Sequence, residues 1–264
     1  MPDIQQFLRS KPIIGMIHMP ALPGAPRNNM DLEALVGFAL SEAGILERTG
    51  CDACIVENVG DAPFFREHVP PITTAAMAIV TREVRRATRM RVGVNMLRNA
   101  GEEALSVAAI AGADFVRINV VIGAYVTDQG IIQGNAAELA RLRRTLPKDI
   151  AILGDVHVKH AAPLFDVPIE DAAADLAERG GVDAVIVSGA RSPAPPSFER
   201  VKSVKDAVDK PVFIGSGLGM DNLRDYAARS DGVLIGEVDF KIGGIWGGAS
   251  DEAAYARGVK LLRG

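Results

Sequence analysis

Several ionisable side chains stand where short apolar runs of the sequence end, and their types suit proton transfer. Glu57 follows ACIV, and Asp155 follows AILG. Two carboxyl groups of this kind can serve as acid and base on a carbohydrate. Lys159 or Arg117, which stand in corresponding positions, would stabilise an oxyanion that develops on the substrate. The residue types therefore predict acid–base catalysis.

Two other chemistries fit the same residues. The mixed imidazole and carboxylate set of His18, Glu57, Asp155 and His157 would suit a divalent metal ion. The sequence contains no HxH or HExxH motif, so the metal is the less favoured interpretation. Lys159 would serve as a Schiff-base lysine if its pKa were depressed. A lysine at a strand end is more often an ion-pair partner, and the three chemistries remain open.

The candidate residues share a position as well as a chemistry. Successive residues of a strand point to opposite faces, so Asp155, His157 and Lys159 are predicted to share one face and His160 to lie on the other. Charged groups buried together must pair with each other, with a metal or with a ligand. The predicted catalytic residues are Glu57, Asp155, His157, Lys159 and His18, and the predicted substrate-binding residues are Asn95, Arg117, Asn119, Ser188, Gly215, Ser216, Gly217, Gly236 and Glu237.

A glycine-rich stretch near the C-terminus predicts an anion site. It reads VFIGSGLGMDNLRDYAARSDGVLIGE, in which two short apolar strands each end in a glycine turn. Backbone N–H groups at Gly215, Ser216, Gly217 and Gly236 would bind a phosphate, because glycine permits close approach and a helix N-terminus favours an anion. Glu237 opposes this prediction, since its carboxylate would repel a phosphate. A neutral sugar or a metal-bridged ligand is therefore an open alternative.

Eight apolar segments are predicted to form the strands that position these residues. Near-continuous apolar runs are typical of a parallel sheet that helices cover. Eight strand–helix alternations favour a closed barrel over an open doubly wound sheet. We therefore predict the α/β class and one (β/α)8 TIM barrel domain over residues 1–264, with a short N-terminal helix over 3–10. The predicted strands are residues 13–18, 53–57, 91–95, 115–120, 150–158, 184–188, 212–215 and 233–235.

The segments between these strands carry helix signals. Asp31 is predicted to cap a helix that runs to residue 48, and Asp221 or Asn222 to cap the helix after the seventh strand. Long loops after strands one, four and eight, the last containing GGIWGG at 243–248, are predicted to close over a substrate. The other predicted helices are residues 72–88, 101–111, 136–145, 169–179, 198–208 and 251–262.

Composition excludes several classes of protein. A chain of 264 residues matches one such barrel, and a net charge of −4 leaves no electrostatic footprint for nucleic acid. No apolar run is long enough for membrane insertion, and the N-terminus lacks the apolar stretch of a signal peptide. The two cysteines, Cys51 and Cys54, argue against a disulfide framework, and their CxxC spacing is interpreted as core packing. We expect a cytoplasmic protein with a small-molecule substrate, phosphorylated or not, of a size compatible with a homo-oligomer.

Long ordered blocks along the whole chain resemble the BtpA/SgcQ family. They are IIGMIHMPALPGAP, DACIVENVGDAPF, RVGVNMLRN, FVRINVVIGAYVTDQGIIQG, ILGDVHVKHA, AVIVSGA, FIGSGL and GVLIGE. The resemblance implies a barrel of the ribulose-phosphate-binding type, in agreement with the strand count. One member of the family is linked to photosystem I biogenesis or stability, and relatives resembling SgcQ accompany carbohydrate-uptake genes. The resemblance brings no catalytic residue with it.

Two functional hypotheses follow. The favoured one is an enzyme, a lyase, isomerase or epimerase, that acts on a sugar phosphate or a related polar carbohydrate metabolite. The alternative is a non-catalytic assembly or stability factor, as the photosystem association implies. A broad exposed apolar patch together with a filled barrel mouth would favour the alternative.

Overall fold

The computed structural model describes residues 3–189, 194–244 and 248–264, and its main element is a closed barrel of eight parallel strands. The strands in chain order are β1 (Ile13–His18), β2 (Ala53–Glu57), β3 (Arg91–Asn95), β4 (Phe115–Ile118), β5 (Ala124–Thr127), β6 (Gly130–Gln133), β7 (Ala151–Val156), β8 (Ala161–Pro163), β9 (Ala184–Val187), β10 (Val212–Ile214), β11 (Gly232–Ile235), β12 (Lys241–Ile242) and β13 (Ala249–Ser250). Around the barrel the order is β1-β2-β3-β4-β7-β9-β10-β11, and β11 pairs with β1 to close it. The predicted (β/α)8 barrel is confirmed.

The helices in chain order are α1 (Ile4–Leu8), α2 (Leu32–Thr49), α3 (Pro71–Ala87), α4 (Gly101–Ala111), α5 (Ala136–Thr145), α6 (Ile169–Glu178), α7 (Phe198–Ala207), α8 (Leu223–Arg229) and α9 (Glu252–Arg263). Helix α1 precedes the first strand and packs Ile4 and Leu8 against the core inside the barrel, whereas the later helices cover the outer face of the sheet. The Asp31 carboxylate accepts a hydrogen bond from the Ala34 N–H at 2.8 Å, so the predicted cap of α2 is confirmed. Across the described ranges, no helix has the length and apolar character that a membrane span requires.

Side-chain alternation builds two apolar layers with one sheet between them. One layer fills the barrel, and the other lies between the strands and the helices. Ile14 and Met16 of β1 point inward, and Ile13 and Ile17 point outward. The next inward position of β1 is His18. On each strand the last inward position is likewise polar or a glycine, at His18, Glu57, Asn95, Arg117, Asp155, Ser188, Gly215 and Gly236. The alternation therefore places one polar layer across the C-terminal end of the barrel.

The long loop predicted after the fourth strand contains a hairpin. Strands β5 and β6 pair in antiparallel register, and β8 joins them on the other side of β5. Tyr125 and Ile132 are buried on the inner face of this small sheet, whereas Val126 and Ile131 are exposed on the outer face. Each of these strands has only four residues, and the chain reverses direction between them at a turn that ends with Gly130, whose φ is +99°.

The last predicted loop is held by a buried cluster at its two ends. Strand β12 begins with Lys241, whose Nζ contacts Glu42 Oε2 at 2.8 Å and the Ser250 hydroxyl at 3.0 Å. Ser250 belongs to β13, which pairs with β12. The Gly-Ile-Trp-Gly-rich tip expected to close over a substrate falls partly on residues 245–247, which lie outside the described residues.

A substitution inside the barrel tests this packing. A Cβ atom at Gly93 would lie 2.2 Å from the Phe115 ring, so Gly93→Ala is expected to lower the free energy of unfolding by about 1–3 kcal/mol. Gly37→Ala is the matched control, because nothing surrounds that exposed helical position, and it is expected to be neutral or stabilising. Urea denaturation measures both. Equal stability of the two variants would contradict the assigned contact between Gly93 and Phe115.

Candidate active site

A cavity of about 650 Å³ opens at the rim where the parallel barrel strands end. Apolar residues from the surrounding loops, among them Val59, Phe64 and Leu97, form part of its wall. The sequence-predicted residues that line it are His18, Glu57, Arg117, Asn119, Lys159, Gly215, Gly236 and Glu237. The predicted residues Asn95, Asp155, Ser188, Ser216 and Gly217 are buried and do not line it.

A buried ion pair joins strands β4 and β7 beneath the cavity. Arg117 donates from Nε and Nη2 to the two carboxylate oxygens of Asp155, at 2.9 and 2.8 Å. Asn119 Nδ2 donates to Asp155 Oδ2 at 3.0 Å, and the Ser188 hydroxyl lies 3.5 Å from Oδ1. Burial alone would lower the pKa of Arg117, but the Asp155 carboxylate raises it above its usual value. Arg117 is therefore a permanent cation in a fixed orientation.

The same contacts disfavour the acid–base role predicted for Asp155. Both of its oxygens already accept hydrogen bonds from Arg117, and its side chain has no exposed surface. A group that transfers protons must reach the substrate within hydrogen-bond distance. Asp155 instead orients Arg117 and Asn119, which do line the cavity.

Glu57 and His18 lie side by side on adjacent strands. Their Oε1 and Nε2 atoms are 3.6 Å apart, and both side chains line the cavity while remaining almost fully buried. Burial raises the pKa of Glu57 above the ordinary carboxyl value. Burial, supported by the charge of Lys241, lowers the pKa of His18 well below its usual value. The contact is therefore between a neutral imidazole and a carboxyl group with an increased proton affinity, and Glu57 suits general acid–base catalysis.

Lys159 faces Glu237 across the cavity, and their Nζ and Oε1 atoms are 3.8 Å apart. Burial lowers the pKa of Lys159, and the Glu237 carboxylate opposes that shift. Lys159 therefore forms an ion pair, as a lysine at a strand end often does, and its partner is Glu237. Its ammonium group also remains beside the space that a ligand would fill.

In the glycine turn, a side chain of the protein accepts from one of the four N–H groups predicted to bind a phosphate, and nearby donors of the same turn have side-chain acceptors as well. The Gly217 N–H donates to Glu237 Oε1 at 3.3 Å, and the Gly219 N–H donates to Asn222 Oδ1 at 3.0 Å. The Met220 N–H donates to a carboxylate oxygen of Asp239, also at 3.0 Å. Of the four predicted donors, Gly217 therefore serves Glu237, and Gly215 serves the Val187 carbonyl at 2.9 Å. A phosphate contact at Ser216 and Gly236 stays a prediction.

Packing accounts for the glycines of this turn. Gly217 has φ +80°, and a Cβ there would lie 2.3 Å from the Pro195 backbone. A Cβ at Gly215 would meet Ile186 at 2.3 Å inside the barrel, and one at Gly236 would meet Met16 at 2.6 Å. These positions exclude a side chain because neighbouring protein atoms occupy the space.

The prediction that His157 shares a face with Asp155 and Lys159 is wrong. Strand β7 ends at Val156, and His157 has φ +46°, so the alternation stops before it. His157 lines a second cavity of about 560 Å³, between the hairpin and α6, and its ring lies 6.3 Å from that of Tyr125. His160, expected on the opposite side, has φ +56° and lines the main cavity.

Sequence reasoning missed several residues of the site. Arg98 lies in the loop after β3, and Asp128 and Gln129 form the tip of the hairpin. These residues follow the ends of regular strands, where alternation no longer indicates direction. The block NMLRN, in which Arg98 stands three residues after the strand-end amide Asn95, is the available signal.

The four residues considered as metal ligands do not assemble. His18 and Glu57 meet, but Asp155 is bound to Arg117, and His157 lies outside the main cavity. Over residues 3–189, 194–244 and 248–264, no three His, Cys, Asp or Glu side chains come together as a potential metal site. Cys51 and Cys54 are buried, and burial raises the thiol pKa of Cys51 to about 12, in keeping with core packing.

Removing the charge of Asp155 tests its positioning role. Asp155→Asn would leave the Arg117 cation buried without a carboxylate, so a loss of about 3–5 kcal/mol in unfolding free energy is expected. Asp206→Asn, which removes an exposed partner of Lys202, is expected to change it by less than about 1 kcal/mol. Urea denaturation measures both. A small loss at position 155 would show that Arg117 does not depend on this carboxylate.

The raised pKa of Glu57 predicts a pH-dependent stability. The folded protein binds the Glu57 proton more tightly than the unfolded chain, so stability falls as pH rises from the ordinary carboxyl pKa through the raised folded value. Glu57→Gln removes this loss and is expected to be more stable than wild type at neutral pH. The two proteins should converge below about pH 3.5, where Glu57 is protonated in both states. Parallel pH-dependent denaturation curves would contradict the shift, and Glu199→Gln, at an exposed position of α7, is the control.

Comparisons with known proteins agree with this architecture. An uncharacterized protein of Methanocaldococcus jannaschii is 44% identical over 230 residues, 87% of each chain. The photosystem I biogenesis protein BtpA of Synechocystis is 41% identical over 232 residues, 88% of this chain and 81% of that protein. The solved N-(5'-phosphoribosyl)anthranilate isomerase of Pyrococcus furiosus has a similar fold, with a TM-score of 0.59 and 13% identity over 96% of this chain and 98% of that one.

The family model confirms the resemblance read from the sequence blocks. The model of the BtpA family matches residues 9–261, nearly the whole chain. Together with the identity to the Synechocystis protein, this match shows that the chain belongs to the BtpA family.

Proposed function

We propose that the protein is an enzyme that transfers protons on a polar carbohydrate metabolite, as a lyase, isomerase or epimerase. The observation that carries the proposal is Glu57, a carboxyl group with a raised pKa that lines a cavity beside the neutral His18. A carboxyl group whose pKa is raised above its ordinary value is a better proton acceptor than an ordinary carboxylate, so it suits proton transfer.

Glu57 takes a proton from a substrate carbon next to a carbonyl group in the proposed reaction. The electron pair of the broken C–H bond moves into the carbonyl, whose oxygen becomes negatively charged. Lys159 and Arg117, two cations that line the cavity, stabilise that oxygen. Return of the proton to a different atom or face gives isomerisation or epimerisation, and loss of a β-substituent gives elimination.

Polar groups of the lining suit a ligand rich in hydroxyl groups. Among the described residues, Asn119 Oδ1 and His18 Nδ1 are buried without a hydrogen-bond partner, and both side chains line the cavity. Buried polar atoms are normally paired, so a ligand hydroxyl is a suitable partner for each. Asp155 acts in this proposal by holding Arg117 and Asn119, and the glycine turn acts by holding Glu237.

A hydrogen-exchange assay tests the proposal. Sugars and sugar phosphates that raise the melting temperature of the protein are incubated with it in D₂O, and proton NMR follows exchange at their carbon atoms. Glu57→Gln is expected to slow exchange by about 10²–10⁴-fold while keeping the ligand-induced melting shift. The control Glu199→Gln, which changes an exposed residue of α7, should exchange at the wild-type rate. Unchanged exchange in Glu57→Gln, or no ligand among these compounds, would reject the proposed chemistry.

A second candidate function is non-catalytic assembly, which the name of the Synechocystis relative motivates. Exposed apolar side chains gather around the hairpin sheet, at Val126, Ile131, Leu164, Phe165 and Val167. Such a patch suits a protein partner. A biological phenotype that survives Glu57→Gln but not a polar substitution of Phe165 would favour this candidate over the enzyme.

A further inference from the structure

Arg98 differs from the other buried cations of the protein. In the described parts of the chain, the buried arginine and lysine residues are Arg98, Arg117 and Lys241. Arg117 has the Asp155 carboxylate at 2.8 Å, and Lys241 has the Glu42 carboxylate at 2.8 Å. Arg98 is only 7% exposed, yet no carboxylate of a described residue lies within ion-pair distance of it.

The guanidinium of Arg98 has one protein acceptor among the described residues. Its Nη2 donates to the Lys159 backbone carbonyl at 2.5 Å. Burial lowers its pKa, and the charges of Asp155, Asp128 and Glu57, which act from farther away, only partly oppose this effect. An arginine carries five N–H donors in a planar fork. Most of that hydrogen-bonding capacity therefore remains beside the cavity that Arg98 lines.

The loop that carries Arg98 is held on both sides. The Asn58 side chain accepts from the Leu97 N–H at 2.7 Å and donates to the Asp61 carboxylate at 2.9 Å. On the other side, the Asn99 side chain binds both the N–H and the carbonyl of Val120, at 2.8 and 2.9 Å. These contacts fix the backbone of residues 97–99 before any ligand binds. A preorganised arginine loses little entropy on binding an anion.

We propose that Arg98 binds an oxyanion of the ligand, a carboxylate or a phosphate, at the side of the cavity formed by the loops after β3 and β7. A buried cation is unfavourable without an anionic partner. Two oxygens of a carboxylate or a phosphate would accept hydrogen bonds from the planar guanidinium fork of Arg98. Lys159 and His160 line the same side and add positive or donor character. The inference rests on the proposed use of this cavity as the substrate site. It places the anion away from the glycine turn, whose donors already serve Glu237, Asn222 and Asp239.

Anion titrations of the full chain test the assignment. The melting temperature is followed with inorganic phosphate and separately with malonate, at constant ionic strength set by sodium chloride. Both the wild type and the Arg257→Met control, which alters an exposed arginine of α9, are expected to respond to at least one anion. The apparent Kd should weaken at least tenfold in Arg98→Met and less in Arg98→Lys. Whichever of phosphate and malonate has the lower apparent Kd indicates whether Arg98 binds a phosphate or a carboxylate of the ligand.

Ser216→Ala separates the two candidate anion positions. The Ser216 hydroxyl belongs to the glycine turn, so its loss should leave the anion response unchanged if Arg98 is the binding residue. A response that Arg98→Met keeps at the wild-type Kd overturns the inference, whatever the result with Ser216→Ala, as does a wild-type protein that responds to neither anion. Should Arg98→Met fail to fold, the Arg98 Nε–Hε resonance of ¹⁵N-labelled wild type decides. A saturable shift with either anion supports the assignment, and an unmoved resonance overturns it.

The outcome is independent of the proposed reaction. Glu57→Gln is expected to keep the anion response, because Glu57 makes no ion pair with Arg98. An Arg98-dependent response in a protein that exchanges no substrate hydrogen would remove the proposed function and keep the anion site. If hydrogen exchange depends on Glu57 but the anion response does not depend on Arg98, the proposed function is kept and the anion site is rejected.

Discussion

The Arg117–Asp155 ion pair is the contact on which the polar end of the barrel depends. It joins β4 to β7, and it holds Asn119 and approaches Ser188 through the same carboxylate. Its cation contributes to the lowered pKa of His18 and moderates the raised pKa of Glu57. In a low-dielectric interior such a charge acts over several ångströms, so this one placement adds to the effect of burial on the pKa of His18 and opposes it at Glu57.

Strand alternation explains why so much of the barrel could be predicted from the sequence. In β1 to β4 the apolar run and its period of two define both the strand and its inward face, so His18, Glu57, Asn95 and Arg117 were predicted on the correct strands. The same rule failed past the last hydrogen-bonded residue of β7. A left-handed backbone at His157 and again at His160 redirects the chain, and no apolar pattern signals such a turn at a non-glycine residue.

The remaining errors concern contacts between distant segments. Glycine in a turn is compatible with an anion cradle and equally with a close neighbour, and only the fold shows Pro195 packed against Gly217. Arg98 carried no periodic signal because it lies beyond a strand end, and its lack of a carboxylate partner is a property of the folded state. The sequence predicts the site residues that lie on strands, but it gives no comparable signal for residues of loops, such as Arg98.

The small antiparallel sheet has a mechanical consequence for the barrel mouth. Strand β8 begins directly after His160 and pairs with β5, whose hairpin tip carries Asp128 and Gln129. The hairpin at the cavity mouth is thus hydrogen-bonded to the strand that directly follows two nitrogen-bearing residues of the lining, Lys159 and His160. A displacement of the hairpin would therefore also displace Lys159 and His160. Access of a ligand to the cavity and the electrostatic field inside it would then change together.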